Sequence, residues 1–448
     1  MTVPTQTMNE MVGLTNKVVE QTDPKVVGVE LHDFAKELYP ICRSITGEGI
    51  RQTLDLIGGR IPLRKFNVPT GTRVFDWTVP KEWNIRDAYI KDSNGRRVVD
   101  FQKSNLHVLN YSTPIRAKMT LRDLKSHLFS IPERPDWIPY RTSYYKEEWG
   151  FCLSQKQLLA MNEGEYEVCI DSDLEDGNLT YGECYLPGET TDEVLVSCHA
   201  CHPSLANDNL SGLTVATFLA NLLSKSDRRR YSYRFLFIPG TIGAITWLAQ
   251  NRETVGRVQH GLVLTCVGDS GGFHYKKSRR GSAEIDRAAA HVLKHQAEPF
   301  EMLEFSPYGY DERQYCSPGF NLPVGCMMRS VWGTFPEYHT SADNLDFIRP
   351  DQLAGSLRVC AEIVDVLENN QTYRNLNPFC EPQLGRRNLY RTTGGGAIGE
   401  EINARLWVLN LSDGEHSLLD IAERSGIPFS LIRGAAEVLQ QAGLLAAI

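Results

Sequence analysis

The chain has 448 residues, of which 42% are hydrophobic, so it can bury one large core and one or two smaller ones. Its 47 basic and 55 acidic residues give a formal net charge of −8 without a long basic run, which argues against nucleic acid or an anionic membrane surface as a partner. No apolar segment reaches the ~18 residues that a membrane span needs, and eleven scattered cysteines are typical of reduced thiols, so we expect a cytoplasmic protein.

The beginning of the chain predicts an arm followed by two helices. Residues 1–29 lack hydrophobic periodicity and predict a loosely held arm. Leu31–Tyr39 has one apolar face and predicts a helix that Pro40 ends. After a turn, Ile50–Ile57 predicts the second helix.

The composition of the sequence changes between residues 62 and 145, where short segments rich in Val, Trp, Tyr and Thr are interrupted by Pro and Gly. Phe75–Val79, Asp87–Lys91 and Arg97–Phe101 alternate like strands, and Ser93–Gly95 is a hairpin turn between the last two. We therefore expect an inserted β-rich subdomain. Its aromatic side chains are better explained as core than as a binding site, although the subdomain could form one wall of a pocket.

Strands and helices alternate in the rest of the main domain, which we assign to residues 30–61 and 146–385. One helix is predicted to begin at Leu153, and three others are predicted at Ser211–Leu223, Ser282–Gln296 and Pro350–Asn369. The predicted strands are Glu165–Ile170, Thr180–Tyr185, Val194–Val196, Tyr233–Ile238, Leu262–Val267 and Leu322–Met328. This order predicts an α/β fold with a mixed, largely parallel sheet covered by helices on both faces.

The C-terminal residues 398–448 predict a small separate domain behind a linker at Thr392–Gly396. Its three predicted helices are typical of a winged helix-turn-helix: Glu401–Leu411, Ser417–Gly426 and Pro428–Gly443. From residue 400 onward we count seven acids and three bases, a net charge of −4, and the would-be recognition helix has only Arg433 as a base. We therefore expect a packing or oligomerisation module, not a DNA-binding one, and a homo-oligomeric protein.

The stretch Glu193–Thr214 is where metal-capable side chains crowd together. Cys198, His199, Cys201 and His202 follow a short apolar strand, at the strand end where open α/β sheets place ligands, and Asp208 precedes a helix. Four interpretations are open. The Cys-x-x-Cys-His pattern spells a haem attachment signature, but no export signal precedes it. The two cysteines could form a redox pair or half of a zinc site, the histidines and the aspartate could only cap a turn and a helix, or the loop could hold a hydrolytic metal.

A second segment, Glu337–Asn344, favours the hydrolytic metal. Asp208 with Ser211-Gly212, and Tyr338-His339-Thr340 with Asp343, resemble motifs of the zinc aminopeptidase and carboxypeptidase superfamily, whose fold is phosphorylase-like. More narrowly, three segments are similar to a poorly characterised bacterial aminopeptidase-like branch of it: Ile41–Gly49, Cys201–Ser204 and Asp311–Tyr315.

The resemblance implies a site with one or two zinc ions. It implies His202, Asp208 and His339 as ligands, with the aspartate in the bridging position if two ions bind, and Asp269 is a candidate further ligand. His199 is the alternative to His202, because it lies at the expected distance from the strand. Two residues are candidates for substrate binding: Tyr338, and Arg43, which could bind a substrate carboxylate or only close a turn.

One departure from the superfamily pattern concerns the general base. The superfamily has a Glu-Glu pair after the strand that corresponds to Tyr233–Ile238, whereas this chain reads Pro239-Gly240-Thr241. Either another acid is the base, or one metal binds, or hydrolysis is lost. We expect Glu312 as the base and Asp311 as an orienting group.

These expectations define three hypotheses. The first is a zinc-dependent amide hydrolase that acts on a small peptide or an aminoacylated metabolite. The second is a binding or scaffold protein with the same fold, and the third is a redox protein that uses Cys198 and Cys201.

Overall fold

The computed structural model describes residues 24–226, 228–390 and 399–448. The predicted linker and residues 1–23 of the predicted arm lie outside them. For residues 24–29 the arm prediction is wrong, because the first helix already begins at Pro24. Its Gly28 is buried so close to Pro350 that a Cβ there would lie 2.4 Å from the Pro350 carbonyl oxygen. A glycine that packs backbone against backbone carries no hydrophobic signal, so the pattern missed this turn.

The predicted strand segments overlap strands of the structure, which also has strands that the sequence analysis did not predict. In chain order they are β1 (Leu63–Pro69), β2 (Arg73–Val74), β3 (Trp77–Thr78), β4 (Glu82–Lys91), β5 (Arg97–Asp100), β6 (Ile115–Thr120), β7 (Leu128–Phe129), β8 (Phe151–Cys152), β9 (Glu165–Glu175), β10 (Asn178–Leu186), β11 (Glu193–His199), β12 (Ser232–Ile238), β13 (Val258–Leu264), β14 (Phe273–Lys276), β15 (Phe300–Leu303), β16 (Val324–Met328), β17 (Thr372–Asn375), β18 (Asp413–Ser417) and β19 (Leu445–Ala447).

The α-helices of at least eight residues are Pro24–Leu38, Glu48–Gly58, Gly212–Ser224, Ile242–Gln250, Glu284–Lys294, Pro350–Asn369, Glu400–Leu411, Leu418–Ser425 and Phe429–Gln441. Shorter ones cover Leu121–Leu124, Gln155–Leu159 and Glu312–Tyr315.

The largest sheet has eight strands in the order β1-β10-β12-β11-β13-β16-β14-β15. Its four central strands, β12, β11, β13 and β16, run parallel, and β10 and β14 flank them antiparallel. All seven residues of β11 are buried, as expected for a strand covered on both faces. The predicted class, a mixed α/β fold, is confirmed, and the carboxyl ends of the four central strands meet at one edge.

A second sheet of four strands, β5-β4-β9-β6, is built mostly from the β-rich region. The predicted hairpin around Ser93–Gly95 joins β4 and β5. Phe75–Val79 is not the single strand that we predicted: β2 and β3 pair across a turn in which Phe75 has a φ of 58°. Apolar alternation continues through such a tight hairpin, so the pattern cannot distinguish it from a strand. β1 belongs to the large sheet and β9 to the small one.

The chain divides into two compact units. The first contains the residues up to Ala283 and Glu301–Arg358, and the second contains Glu284–Phe300 and Val359–Ile448. In the second unit, three helices and the small sheet β18-β17-β19 follow the helix Pro350–Asn369. Among the described helices, none has the length and apolar character to cross a membrane.

Candidate metal centre

The loop after β11 brings the chemistry of the site together. His199 is the last residue of β11, and the chain then passes through His202 and Asp208 before the helix Gly212–Ser224 begins. Asn209 ties this loop to the neighbouring strand, because its side-chain amide donates to the carbonyl oxygen of Leu264 at 2.9 Å. The loop therefore lies at the carboxyl ends of adjacent parallel strands, where such sheets bind ligands.

Asp208 is the centre of the cluster. Its side chain is fully buried, with Oδ1 2.8 Å from His199 Nε2 and Oδ2 2.9 Å from His339 Nε2. His202 Nδ1 lies 3.7 Å from Oδ1 and has no hydrogen-bond partner among the described residues. Ligand atoms of His199, His202 and Asp208 all lie within 4.8 Å of one another. Three imidazoles thus converge on one carboxylate, and both candidate histidines of the loop belong to the cluster.

The electrostatics favour neutral side chains at His199 and His202 and a charged carboxylate at Asp208. Burial lowers the pKa of His199, and it lowers the pKa of His202 well below its usual range. Burial alone would raise the pKa of Asp208, but His202 and His199 outweigh it and hold that pKa well below its usual range. Neutral imidazoles beside an ionised carboxylate are the protonation states that a metal ion requires of its ligands.

His339 is held from the β-rich region. Its φ of 56° lies in the left-handed region, which costs energy for a non-glycine residue and persists only when the surroundings impose it. The Tyr140 N–H donates to the His339 carbonyl oxygen at 2.7 Å, and the Ser341 N–H donates to Ile138 at 2.8 Å. The Tyr140 ring also packs edge-on against His202 and His339, with centroids 5.0 and 5.1 Å away.

Asp343 holds the backbone of Asn207 and Asp208 in position. Its two carboxylate oxygens accept the backbone N–H groups of Asn207 at 2.6 Å and of Asp208 at 3.0 Å. Burial raises the pKa of Asp343 to about 8, although these two hydrogen bonds oppose the rise. The Tyr-His-Thr-x-x-Asp segment therefore contributes twice, through His339 to the cluster and through Asp343 to its support.

Asp269 and Arg43 lie outside the cluster. Asp269 accepts hydrogen bonds from Asn207 Nδ2 at 2.7 Å and from Ser330 Oγ at 2.6 Å, so its carboxylate is engaged in holding the loop. Arg43 is fully buried, and its Nε donates to the His202 carbonyl oxygen at 2.9 Å. Arg43, expected either to bind a substrate carboxylate or to close a turn, thus lies inside the protein against the His202 loop.

Glu312 and Asp311 have different surroundings from those we expected. Glu312 is buried in an ion pair with Lys276, whose Nζ lies 2.8 Å from Oε1. Asp311 accepts the Thr241 N–H at 2.7 Å through Oδ1, whereas its buried Oδ2 has no partner among the described residues. Burial raises the pKa of Asp311 to about 7, partly offset by the Thr241 N–H. The unengaged carboxylate at the end of β12 is therefore Asp311.

Two tyrosines at the site were missed by the sequence analysis, Tyr140 and Tyr310. The Tyr310 ring stacks on His199 with centroids 3.8 Å apart, and Tyr338 stacks on His339 at 4.0 Å. Tyr310 directly precedes the Asp311–Tyr315 motif, which was the available signal. Tyr140 had none, because it reaches the site through the fold of the β-rich region.

The two loop cysteines have separate partners. Cys198 donates its thiol to the Leu236 carbonyl oxygen at 3.7 Å, and the Cys201 Sγ accepts the Gly240 N–H at 3.2 Å. All eleven cysteines are free thiols. Burial raises the pKa of Cys201 to about 12 and that of Cys198 well above its usual range, which suppresses the thiolates that redox exchange needs.

Comparison with known proteins identifies the family. A model of the family described as a domain of unknown function (DUF4910) matches residues 32–370, which is more than half of the chain. The chain belongs to this family. A winged helix-turn-helix model matches residues 371–447, so the predicted C-terminal winged helix is confirmed, and the match begins ahead of the predicted boundary at residue 398.

Similar proteins agree with an aminopeptidase-like fold. A Clostridium acetobutylicum protein described as a "Putative polysaccharide biosynthesis protein with aminopeptidase-like domain" is 52% identical over 431 residues, covering 96% of this chain and 98% of that protein. A crystal structure of a "putative peptidase" from Clostridium acetobutylicum is 50% identical, with a TM-score of 0.92 and coverage of 97% and 99%. A zinc aminopeptidase from Bacillus subtilis shares the fold at 13% identity, with a TM-score of 0.54 and coverage of 76% and 94%.

Proposed function

We propose that this protein is a metal-dependent hydrolase of aminopeptidase type that cleaves an amide bond in a small peptide or an aminoacylated metabolite. The observation that carries the proposal is the convergence of three histidines on the buried carboxylate of Asp208, at the carboxyl ends of parallel strands. Imidazole and carboxylate donors are those of hydrolytic zinc sites. The shared fold with zinc aminopeptidases supports zinc, as one or two ions, over other metals.

The residues present fit such an ion. His202 Nδ1 is buried without a hydrogen-bond partner in the described chain, which is costly unless something binds it. His199, His202, His339 and Asp208 would hold the metal, and Asp269 would support the loop instead of acting as the additional ligand that we expected. When bound, zinc would polarise the substrate carbonyl and lower the pKa of water to about 7.

The attacking water also needs a group that accepts its proton. We assign this role to Asp311 instead of Glu312, because the Glu312 carboxylate is engaged by Lys276 whereas Asp311 Oδ2 is unengaged. Asp311 accepts the N–H of Thr241, at the strand end where the superfamily has its glutamate pair. A carboxylate with a pKa of about 7 accepts a proton efficiently at neutral pH.

The substrate is proposed to lie against the rings around the cluster. Tyr338 is partly exposed and stacked on His339, so we keep it as a substrate-binding residue. Arg43 is reassigned from substrate binding to support of the His202 loop, because it is fully buried. The Clostridium acetobutylicum relative is described as a polysaccharide biosynthesis protein, so we include aminoacylated sugars in the proposed substrate class.

The winged helix is proposed to serve packing or homo-oligomer assembly and not nucleic-acid binding. Arg433 is the single base on the helix Phe429–Gln441, and its Nη1 forms a buried ion pair with both carboxylate oxygens of Asp365, at 2.6 and 2.7 Å. A guanidinium engaged in this way is not available to a phosphate. The cytoplasmic location expected from the sequence belongs to the same proposal.

Metal content and turnover of the purified protein test the function. The variants remove one ligand each, and a surface histidine is the matched control: His199→Ala, His202→Ala, His339→Ala, Asp208→Asn and the control His416→Ala. We expect the four ligand variants to lose zinc and the hydrolysis of aminoacyl amides or aminoacylated sugars, and the control to keep both. Zinc that stays bound in all four would overturn the site.

A scaffold protein is the second candidate, and the absence of a carboxylate at Pro239-Gly240-Thr241 favours it. The zinc-loaded wild type separates the two candidates. Turnover of any compound in the panel supports the hydrolase, whereas full zinc loading with no turnover across amides and aminoacylated sugars supports the scaffold.

A further inference from the structure

Two large aromatic side chains of the β-rich region, Trp77 and Tyr145, pack against each other at the surface. Their rings meet edge-on with centroids 5.4 Å apart, and the residues are 40% and 51% exposed, so neither belongs to the core in which the sequence placed the aromatics of this region. Among the described residues, none hydrogen-bonds to the Trp77 ring nitrogen or to the Tyr145 hydroxyl. This aromatic pair therefore offers two apolar rings and two unused polar groups to solvent.

The backbone of Tyr145 is held in a conformation that a tyrosine disfavours. Its φ of 66° is at the third position of the turn of residues 143–146, which the Lys146 N–H closes by donating to the Ser143 carbonyl oxygen at 3.1 Å. A positive φ at this position usually selects glycine. The Ser143 hydroxyl anchors the turn by donating to the Tyr111 carbonyl oxygen at 3.0 Å. Strain that the surroundings impose in this way is typical of ligand sites.

The aromatic pair is continuous with the candidate metal centre. Tyr144, the residue before Tyr145, has its hydroxyl oxygen 3.0 Å from that of Tyr140, whose ring packs against His202. Burial raises the pKa of the exposed-ringed Tyr145, and Cys201 adds to the rise. Since Cys201 lies in the loop of the metal centre, the hydroxyl end of the Tyr145 ring is the end nearer to that loop.

Trp77 lies on a fixed hairpin and not on a loose loop. Val74, which pairs with it across the hairpin, is fully buried, and two backbone hydrogen bonds of 2.9 Å close the base of the hairpin. The hairpin also packs against the helix Ile242–Gln250, which begins directly after the residue whose N–H Asp311 accepts. The ring is therefore preorganised, as a binding residue needs to be.

We propose that Trp77 and Tyr145 bind the sugar ring of the substrate and so determine its specificity. This rests on the hydrolase function proposed above, and within its substrate class it selects the aminoacylated sugars. One face of a pyranose ring presents C–H groups, which pack against the electron-rich face of an aromatic ring. The hydroxyl groups at the edge of the sugar need hydrogen-bond partners, which the Trp77 N–H and the Tyr145 hydroxyl can supply.

The surroundings of the aromatic pair favour a sugar over a protein partner. Asp76 and Lys146 directly adjoin the pair in sequence, and both are exposed. The centres of protein interfaces are depleted in charged residues, whereas a single sugar ring covers only the two rings and leaves neighbouring charges in water.

Kinetics with matched amides test the proposal. Glycyl-glucosamine and glycyl-galactosamine contain a sugar ring, and glycinamide lacks it. Zinc-loaded wild type should cleave the sugar amides with a kcat/KM about 10-fold higher than glycinamide, and Trp77→Ala should raise KM for the sugar amides about 10-fold while leaving glycinamide unchanged. Tyr185→Ala is the control and should change neither, because Tyr185 is 39% exposed but lies beside Arg234, towards the amino end of β12 and away from the site.

Tyr145→Gly is a second variant, which removes the ring and relieves the strained turn. Its urea midpoint should stay close to that of wild type, because the relief of strain offsets the lost packing, while KM for the sugar amides rises as in Trp77→Ala. Unchanged sugar kinetics in both variants would overturn the proposal even if one of them misfolded under assay conditions at higher temperature.

Calorimetric titration with the same sugar amides separates this proposal from the hydrolase. Turnover without a preference for the sugar amides, or a preference that survives both substitutions, would overturn the sugar site and leave the hydrolase intact. A wild type that turns nothing over but binds a sugar amide through Trp77 would overturn the hydrolase and keep the sugar site, and one that does neither overturns both. A changed molar mass of Trp77→Ala in sedimentation, with unchanged sugar kinetics, would assign the aromatic pair to a contact between copies of the chain and overturn the proposal.

Discussion

Lys276 and Glu312 form an ion pair inside the protein, and Lys276→Met should show how much stability depends on it. The substitution removes the ammonium group and its charge, and keeps an unbranched apolar chain that is one atom shorter. The Glu312 carboxylate would then be buried without a cation, and the Tyr310 N–H would remain as a hydrogen-bond donor to it. The lysine side chain is 3% exposed and the glutamate side chain 0%, so water cannot replace the lost partner without a local opening.

The expected loss of unfolding free energy is about 3–5 kcal/mol, the range for breaking a buried pair on one side. Breaking a solvent-exposed ion pair lowers the unfolding free energy by less than ~1 kcal/mol, so the size of the measured loss distinguishes a buried pair from an exposed one. The double variant Lys276→Met/Glu312→Leu should cost less than either single variant, because no unpaired charge is then left buried.

Urea denaturation followed by circular dichroism measures the loss. The shift of the midpoint is interpreted together with the m-value, since an unchanged m-value means that the same surface unfolds in each variant. Lys65→Met, which removes an exposed pair with Asp55, is the control and should stay within about 1 kcal/mol of wild type. A Lys276→Met loss as small as that of the control would refute the account.

Three further predictions concern other buried groups. Asp365→Asn should destabilise the second unit by about 1.5–3 kcal/mol, because it removes the charged hydrogen-bond partner of the buried Arg433 guanidinium and leaves Glu437, 3.4 Å from Nε, as its counter-charge. A midpoint shift in urea that corresponds to less than ~1 kcal/mol would contradict this. Burial lowers the pKa of His291 from 6.5 to about 4, and the neutral imidazole accepts the Phe429 N–H. The stabilisation by the neutral His291 is therefore complete above pH 6.5 and declines as the pH falls towards 4. After allowance for solvent screening, the unfolding free energy should fall by about 1–2 kcal/mol over this pH range. Thermal melts of His291→Gln at the same pH values should not show this fall. Arg43→Lys should lose the bond to the His202 loop, lowering zinc affinity in competition with a chelator and stability by about 1–3 kcal/mol, and unchanged zinc affinity would argue against the support role.

Elements with a clear period were predictable from the sequence. The helix Pro350–Asn369 was located to the residue, because its apolar stripe and its N-terminal proline agree. The helix Pro24–Leu38 was cut short, because the part around Gly28 packs by close backbone approach and leaves no apolar repeat. Sequence patterns report burial of side chains and are silent where the backbone itself is the packed surface.

The site was predictable at its centre and not in its surroundings. The resemblance to zinc aminopeptidases, together with the crowding of metal-capable side chains after one strand, implied Asp208, His202 and His339, all of which lie in the cluster. The ion pair of Glu312 was not predicted, because its partner Lys276 lies 36 residues away in sequence, on β14, whereas Glu312 begins a short helix. Whether a carboxylate is free to accept a proton depends on such long-range neighbours, which no local pattern records.

Backbone hydrogen bonds join the β-rich region to the loop that contains His339, so two parts of the fold together shape the candidate metal centre. All the proposed ligands lie outside residues 62–145, but the left-handed backbone of His339 is held by hydrogen bonds to Ile138 and Tyr140. Changes in the β-rich region would therefore alter metal affinity as well as access to the site. A relative that diverges there could change its substrate and its metal requirement in one step, without any substitution at a ligand.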